Sequence, residues 1–234
     1  MPNAYIEVMA TPFDKYRENR KGEQVKRNNQ QCRDDAKKRE DDIVKKVNNF
    51  RMRNLTVDER SEISVENILQ MIDNNPVVCA LFSKDPSKQS IDELCQIEWL
   101  KIKYPDIVKL KTNIGGKCFL DGTIYNITGK RPDAATKSFD TYSALNNKYS
   151  TLKYTSEPGG AQDNQYDDVK NFVSEAVKYY RKSPDATELF EACVDGPYYT
   201  EQKRRCLNDI IPSDLKDRIF ITSCASIIPS STPV

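Results

Sequence analysis

Apolar residues are sparse from Glu23 to about residue 42, then appear at Ile43, Val44, Val47, Phe50 and Met52. The spacing predicts one long charged helix over Glu23–Arg53 whose last turns dock on a body. A second helix is predicted around SVENILQMIDNN, stopped by Pro76, with an apolar VVCALF run after it. From Gln89 to Lys103 the stripe Ile91, Leu94, Cys95, Ile97, Leu100 and Ile102 predicts a helix that Pro105 ends. Glu98 falls on that stripe. A carboxylate directed at a core requires a partner, which is either a structural ion pair or a metal or active-site role.

After Gly115-Gly116 the period shortens to two, and three strands are expected at 118–128, 135–145 and 148–156. Gly129-Lys130-Arg131-Pro132 and Asn146-Asn147 separate them as turns. Pro158-Gly159-Gly160 breaks the chain, and a helix begins near Asp163 with its apolar line at Tyr166, Val169, Phe172, Val173, Ala176, Val177 and Tyr180. A strand at 188–194, a short basic helix at 200–209 and an apolar strand at 218–228 complete the order.

This order predicts an α/β protein, an α+β mixed sheet in which a helical crossover sets the later strands parallel. Residues 1–84 form an N-terminal helical region, 85–228 the core, and 229–234 a frayed tail. If Asn146-Asn147 is a two-residue hairpin loop, 145 pairs with 148, 143 with 150 and Asp140 with Lys153. Alternation then puts Asp140, Thr151 and Lys153 on one sheet face.

Composition narrows the chemistry. The 234 residues are 38% apolar and 30% charged, with net charge +1, so no global basic field attracts nucleic acid, although local cations still can. The absence of histidine excludes nucleases that use it as base or ligand, and excludes Ser-His-Asp and Cys-His hydrolases. The seven cysteines are scattered without a CxxC pair, a spacing that suits reduced, buried thiols better than a zinc site or a disulfide framework. No apolar run reaches the roughly 18 residues of a membrane span, and the N-terminus shows no signal-peptide core. The expectation is a soluble, intracellular (cytoplasmic) protein.

A carboxylate beside an ammonium on one sheet face suits metal-dependent phosphodiester cleavage: Asp140 holds Mg²⁺, and Lys153 positions or deprotonates water and neutralises developing charge. The same pair also makes an ordinary cross-strand salt bridge. The segments Arg131-Pro132-Asp133, Ser138-Phe139-Asp140 and Thr151-Leu152-Lys153 resemble the PD-(D/E)XK nuclease superfamily. KSFD, YSTLKYTSEPGGAQDNQYDDVKNF and the later DGPYY resemble type II restriction endonucleases over roughly residues 85–225.

The resemblance implies a restriction-endonuclease-like αβββαβ core with an added N-terminal helical region. It implies a Mg²⁺-dependent, sequence-specific endonuclease acting on double-stranded DNA as a homodimer, encoded beside a cognate DNA methyltransferase, with no membrane association. Other implied readings are a repair or recombination nuclease of the same superfamily, and a DNA-binding domain on the same scaffold that has lost catalysis.

Thr151 departs from the pattern, since the family carries an acid two residues before the lysine. Related enzymes move that acid to the following helix. Asp163, one turn below Asp167, and Glu157 are candidates there, with Glu98 from the preceding helix; Glu98 and Asp163 are the favoured pair. Asp133 follows the proline, but hairpin pairing places it roughly 20 Å along the strand from Lys153. Asp140 therefore takes the first acidic position.

Gln162 with Tyr166 resembles the QxxxY element of RecB-like members and adds Gln162 to the catalytic set. Gln162, Asn164 and Gln165 are candidates for reading base edges. Lys203, Arg204 and Arg205 suit phosphates, and Tyr198 and Tyr199 suit stacking or sugar contacts. For each of these the plain alternative is a helix cap or a solvated face.

Overall fold

The computed structural model describes residues 11–86, 90–156 and 160–228, with only the backbone described at 160–162. Two compact units emerge, one from Met1–Lys15 with Asp92–Val234 and one from Tyr16–Ile91. The division thus falls at 91/92 rather than after residue 84.

The helical unit is built from most of α1 (Pro12–Lys38), then α2 (Asp41–Asn54), α3 (Val57–Glu62), α4 (Val65–Asn74) and α5 (Pro76–Phe82). The single helix expected over Glu23–Arg53 is therefore broken. Arg39 adopts φ 56°, a left-handed conformation that ends α1 and lets Glu40 start a new helix. Capping explains the short helices that follow. Thr56 and Glu59 form a reciprocal capping box for α3, and Ser64 and Asn67 form one for α4. Asn75 accepts from the amides of Val77 and Val78 ahead of Pro76, so VVCALF folds as helix rather than strand. The faces of α1, α2, α4 and α5 close over Cys32, Ala36, Ile43, Val47, Ile68, Leu69, Ile72, Cys79 and Phe82.

The second unit contains α6 (Ile91–Leu100), β1 (Val108–Lys109), β2 (Lys117–Leu120), β3 (Thr123–Asn126), β4 (Thr141–Ser143), β5 (Lys148–Tyr154), α7 (Gly160–Lys182), β6 (Leu189–Asp195), α8 (Glu201–Asp209) and β7 (Ile219–Thr222). The main sheet runs β1-β4-β5-β6-β7, with β1/β4 and β4/β5 antiparallel and β5/β6 and β6/β7 parallel. The class is mixed α/β, as the sequence predicts.

Three predicted strands fold differently: 135–145 is strand only over Thr141–Ser143, 218–228 stops at Thr222 before a 3-10 turn at Cys224–Ser226, and 118–128 departs most. Residues 118–128 do not enter the main sheet, because Asp121 and Gly122 both take positive φ and turn the segment into the β2-β3 hairpin. A Cβ on Gly122 would stand 2.8 Å from Lys178 Cβ, so glycine also permits the close approach of this turn to α7. The two-residue β1 pairs with β4 instead.

The two sheet faces differ in character. On the α7 side, Phe119, Phe139, Phe172 and Phe190 form an aromatic centre, with Phe119 and Phe190 centroids 4.8 Å apart. The opposite side is polar. Register puts Lys148, Ser150, Leu152, Glu191, Cys193 and Asp195 there, with Gln96 of α6 donating to Asp195. Phe13 packs on Trp99 and Tyr154 at 5.7 and 6.4 Å, which explains why the segment before Tyr16 belongs to this unit.

Candidate functional site

The hairpin register differs from the two-residue-loop expectation. Thr141 pairs with Ser150, Tyr142 with Tyr149 and Ser143 with Lys148, leaving residues 144–147 as a four-residue loop. Asp106, from the α6-β1 connection, sets that loop. Its carboxylate accepts from Ser143 Oγ at 2.9 and 3.1 Å and from the Leu145 amide at 2.8 Å. Those bonds, first the amide, hold the Asp106 carboxyl below its ordinary range. Asn147 completes the turn at φ 45°. The described pairing ends at Thr141; just before it the Asp140 amide donates to the Ser150 carbonyl at 2.9 Å, so Asp140 and Thr141 both face Ser150. Phe139 packs on Phe172 at the α7 side, so strict alternation does not run through Asp140, and across the hairpin Asp140 meets Thr151 and Leu152 rather than Lys153.

Asp140 Oδ2 accepts from the Leu152 amide at 2.7 Å and from Thr151 Oγ1 at 3.2 Å. Burial pushes the Asp140 carboxyl above its ordinary range. The Lys153 ammonium and the Leu152 amide oppose that rise, Glu93 adds to it, and the Thr151 hydroxyl opposes it. The charges of Lys153 and Glu93 thus both reach the Asp140 carboxyl. Glu93 is half-buried and pairs with Lys109 of β1 at 2.8 Å.

Glu93 escaped the sequence reading, which favoured Glu98. Glu98 is exposed, because the buried line of α6 runs through Cys95, Gln96, Ile97, Trp99 and Leu100. The signal for Glu93 was its i, i+4, i+7 alignment with Ile97 and Leu100.

Asp163 is exposed and accepts from Tyr198 OH at 2.5 Å. Asp167 is exposed, 3.8 Å from Lys170, and Asp133 is almost wholly exposed near Lys130. Glu157 and the Gln162 side chain lie outside the described residues. Asn164 is exposed, while Gln165 Oε1 accepts from Thr155 Oγ1 at 3.0 Å.

The two tyrosines expected to stack on bases are interior instead. Tyr198 and Tyr199 are 6% and 0% exposed and pack on the Tyr166 ring, so their rings serve the core. Lys203 lies with its ammonium 3.1 Å from the centre of the Tyr198 ring, a cation-π contact in place of the expected phosphate contact. Arg204 is half-buried, and Arg205 is exposed 3.5 Å from Glu201.

A donor set of hard carboxylate oxygens fits Mg²⁺. Asp140 would hold it through Oδ1, because both described hydrogen bonds to Asp140 fall on Oδ2. No described helix is long and apolar enough to cross a membrane. No family model, curated protein or solved structure matches the chain.

Proposed function

We propose that the chain is a Mg²⁺-dependent DNA endonuclease of the PD-(D/E)XK kind, acting in a sequence-specific, restriction-type manner. The observation that carries this reading is the Asp140 carboxylate held by the Leu152 amide and the Thr151 hydroxyl next to Lys153 in the chain, with the Lys153 ammonium lowering and the Glu93 carboxylate raising the Asp140 carboxyl. The sheet order supports it: an antiparallel pair leads through α7 into parallel strands, the sequence of elements in an αβββαβ core.

Bound Mg²⁺ supplies Lewis acidity toward a phosphoryl oxygen and an acidified water. The chain's own residues do the rest. Asp140 offers Oδ1 while Thr151 and Leu152 fix Oδ2, and Lys153 orients the attacking water and stabilises charge on the phosphate. Glu93 supplies the second carboxylate that Thr151 cannot. Exposed Asn164 and Arg205 are the described candidates for contacts to double-stranded DNA. Cutting both strands of a palindrome calls for a homodimer, and a cognate methyltransferase protects the host.

Supercoiled plasmid incubated with Mg²⁺, with EDTA, and with Lys153→Ala tests this. Mg²⁺-dependent nicking that the variant loses supports the reading, and discrete fragments separate a restriction-type enzyme from a repair nuclease. DNA binding without cleavage by the wild type overturns it in favour of a non-catalytic DNA-binding domain, the reading that Thr151 at the acidic position favours.

A further inference from the structure

On the sheet face away from α7, Cys193 Sγ lies 3.6 Å from Cys224 Sγ and 3.5 Å from Asp195 Oδ2. One ligand atom from each of the three residues lies within 4.8 Å of the others, and all three residues are at most 2% exposed. Tetrahedral coordination with metal–sulfur bonds of about 2.3 Å and metal–oxygen bonds of about 2.1 Å gives sulfur–sulfur edges of about 3.8 Å and sulfur–oxygen edges of about 3.6 Å. The Cys193–Cys224 and Cys193–Asp195 distances are close to those edges, and the third pair lies within 4.8 Å.

The carboxylate is also oriented as a ligand. Oδ1 accepts from Ser223 Oγ at 2.6 Å and from the Ala225 amide at 3.4 Å, the kind of outer support that aims a ligating group. Oδ2, beside the sulfurs, accepts from Gln96 Nε2 at 2.7 Å and from the Cys224 amide at 3.3 Å. Gln96 is fully buried, and the same Nε2 also reaches the carbonyls of Lys153 at 3.2 Å and Cys193 at 3.5 Å. These acceptors fix which end of the amide is nitrogen. Its Oε1 is left buried without a hydrogen-bond partner, an unsatisfied acceptor on the residue whose amide nitrogen already touches Asp195.

We infer that Cys193, Cys224 and Asp195 bind one soft divalent cation of the zinc class, with Gln96 completing the site, and that the ion ties the end of β6 to the turn after β7. On binding, each thiol S–H bond breaks, a sulfur–metal bond forms, and two protons pass to solvent. Two thiolates and a carboxylate around a dication leave one negative charge, which the Ser223 hydroxyl and the Cys224 and Ala225 amides disperse. The site lies on the sheet face opposite the Lys153 side chain, because Cys193 and Lys153 occupy adjacent register rows that point to opposite sides of the sheet. Thirty-one residues separate the cysteines, so no short spacing announced them.

Trp99 gives a local reporter: it is the chain's one tryptophan, and its Nε1 donates to the Cys224 carbonyl at 3.1 Å. The test is refolding of the full reduced chain with Co²⁺, followed by removal of free metal. One cobalt per chain by native mass, sulfur-to-cobalt absorption and at least twofold quenching of Trp99 are expected, all lost in Cys193→Ser and retained in Cys206→Ser. Retention of less than a tenth of an equivalent, or a Cys193–Cys224 disulfide in the natively purified chain, overturns the proposal. A cobalt spectrum without Trp99 quenching does so too, since it places the metal on other cysteines. The wild-type quenching decides the matter even where Cys193→Ser does not fold.

Discussion

Asp140 meets Thr151 across the β4-β5 hairpin: the hydroxyl of Thr151 donates to Asp140 Oδ2 at 3.2 Å. Thr151 thus orients the Asp140 carboxylate rather than adding a second one. Replacing Thr151 with Val removes that donor and leaves only the Leu152 amide on Oδ2. The expected cost is about 0.5–1.5 kcal/mol in urea unfolding, with a higher Mg²⁺ concentration needed for half-maximal nicking. Unchanged Mg²⁺ dependence would show that the hydroxyl does not orient the site.

Asp140→Asn separates stability from function. The Asp140 carboxyl is raised chiefly by burial, so the folded state holds its proton more tightly than the unfolded chain. Its relative stabilisation is present below the unfolded carboxylate range and is lost as pH rises through the folded value. Asparagine accepts the same two hydrogen bonds without charge. The variant should therefore melt higher than wild type at pH 8, show no such gain at pH 4, and lose Mg²⁺-dependent cleavage by at least ~100-fold. Equal melting temperatures at both pH values would contradict the burial argument.

Lys148 and Glu191 form a buried ion pair at 3.2 Å, with side chains 5% and 1% exposed and the ammonium 3.5 Å from the centre of the Tyr104 ring. Lys148→Met leaves buried Glu191 without its ion-pair partner, accepting only from Ser150, Thr222 and Tyr104. The expected loss is about 3–5 kcal/mol in chemical denaturation. Combining it with Glu191→Leu should recover most of that loss, because the pair is costly to break and far less costly to replace.

Two glycines should respond with opposite sign. A Cβ on Gly196 would meet the Thr155 carbonyl oxygen at 2.2 Å, and the residue sits at φ +93°. Gly196→Ala should destabilise by more than about 1 kcal/mol. Gly22 lies within α1 with nothing within 4 Å of its built Cβ, so Gly22→Ala should stabilise by about 0.5–1 kcal/mol. Thermal melts of the two variants beside wild type check both.

Glu93→Gln tests the residue that sequence reasoning missed. It weakens the pairing with Lys109 and removes a negative charge that raises the Asp140 carboxyl. If Glu93 is the second metal carboxylate, cleavage falls by at least ~10-fold and higher Mg²⁺ partly restores it. Wild-type rates at every Mg²⁺ concentration would remove Glu93 from the site.

The sequence alone determined the local elements: the α7 line from Tyr166 to Tyr180, the β5 and β6 segments and the α6 stripe all follow from side-chain periodicity, which is a property of neighbouring residues. Tertiary structure decided what depends on distant partners. Asp106 set the four-residue loop and the register, Phe119 drew the β2-β3 hairpin onto the aromatic centre instead of into the sheet, and the packing of α6 turned Glu98 outward. The same long-range contacts buried Tyr198 and Tyr199 and brought Cys193 beside Cys224. These outcomes are energies of contact between segments far apart in the chain, and no local pattern encodes them.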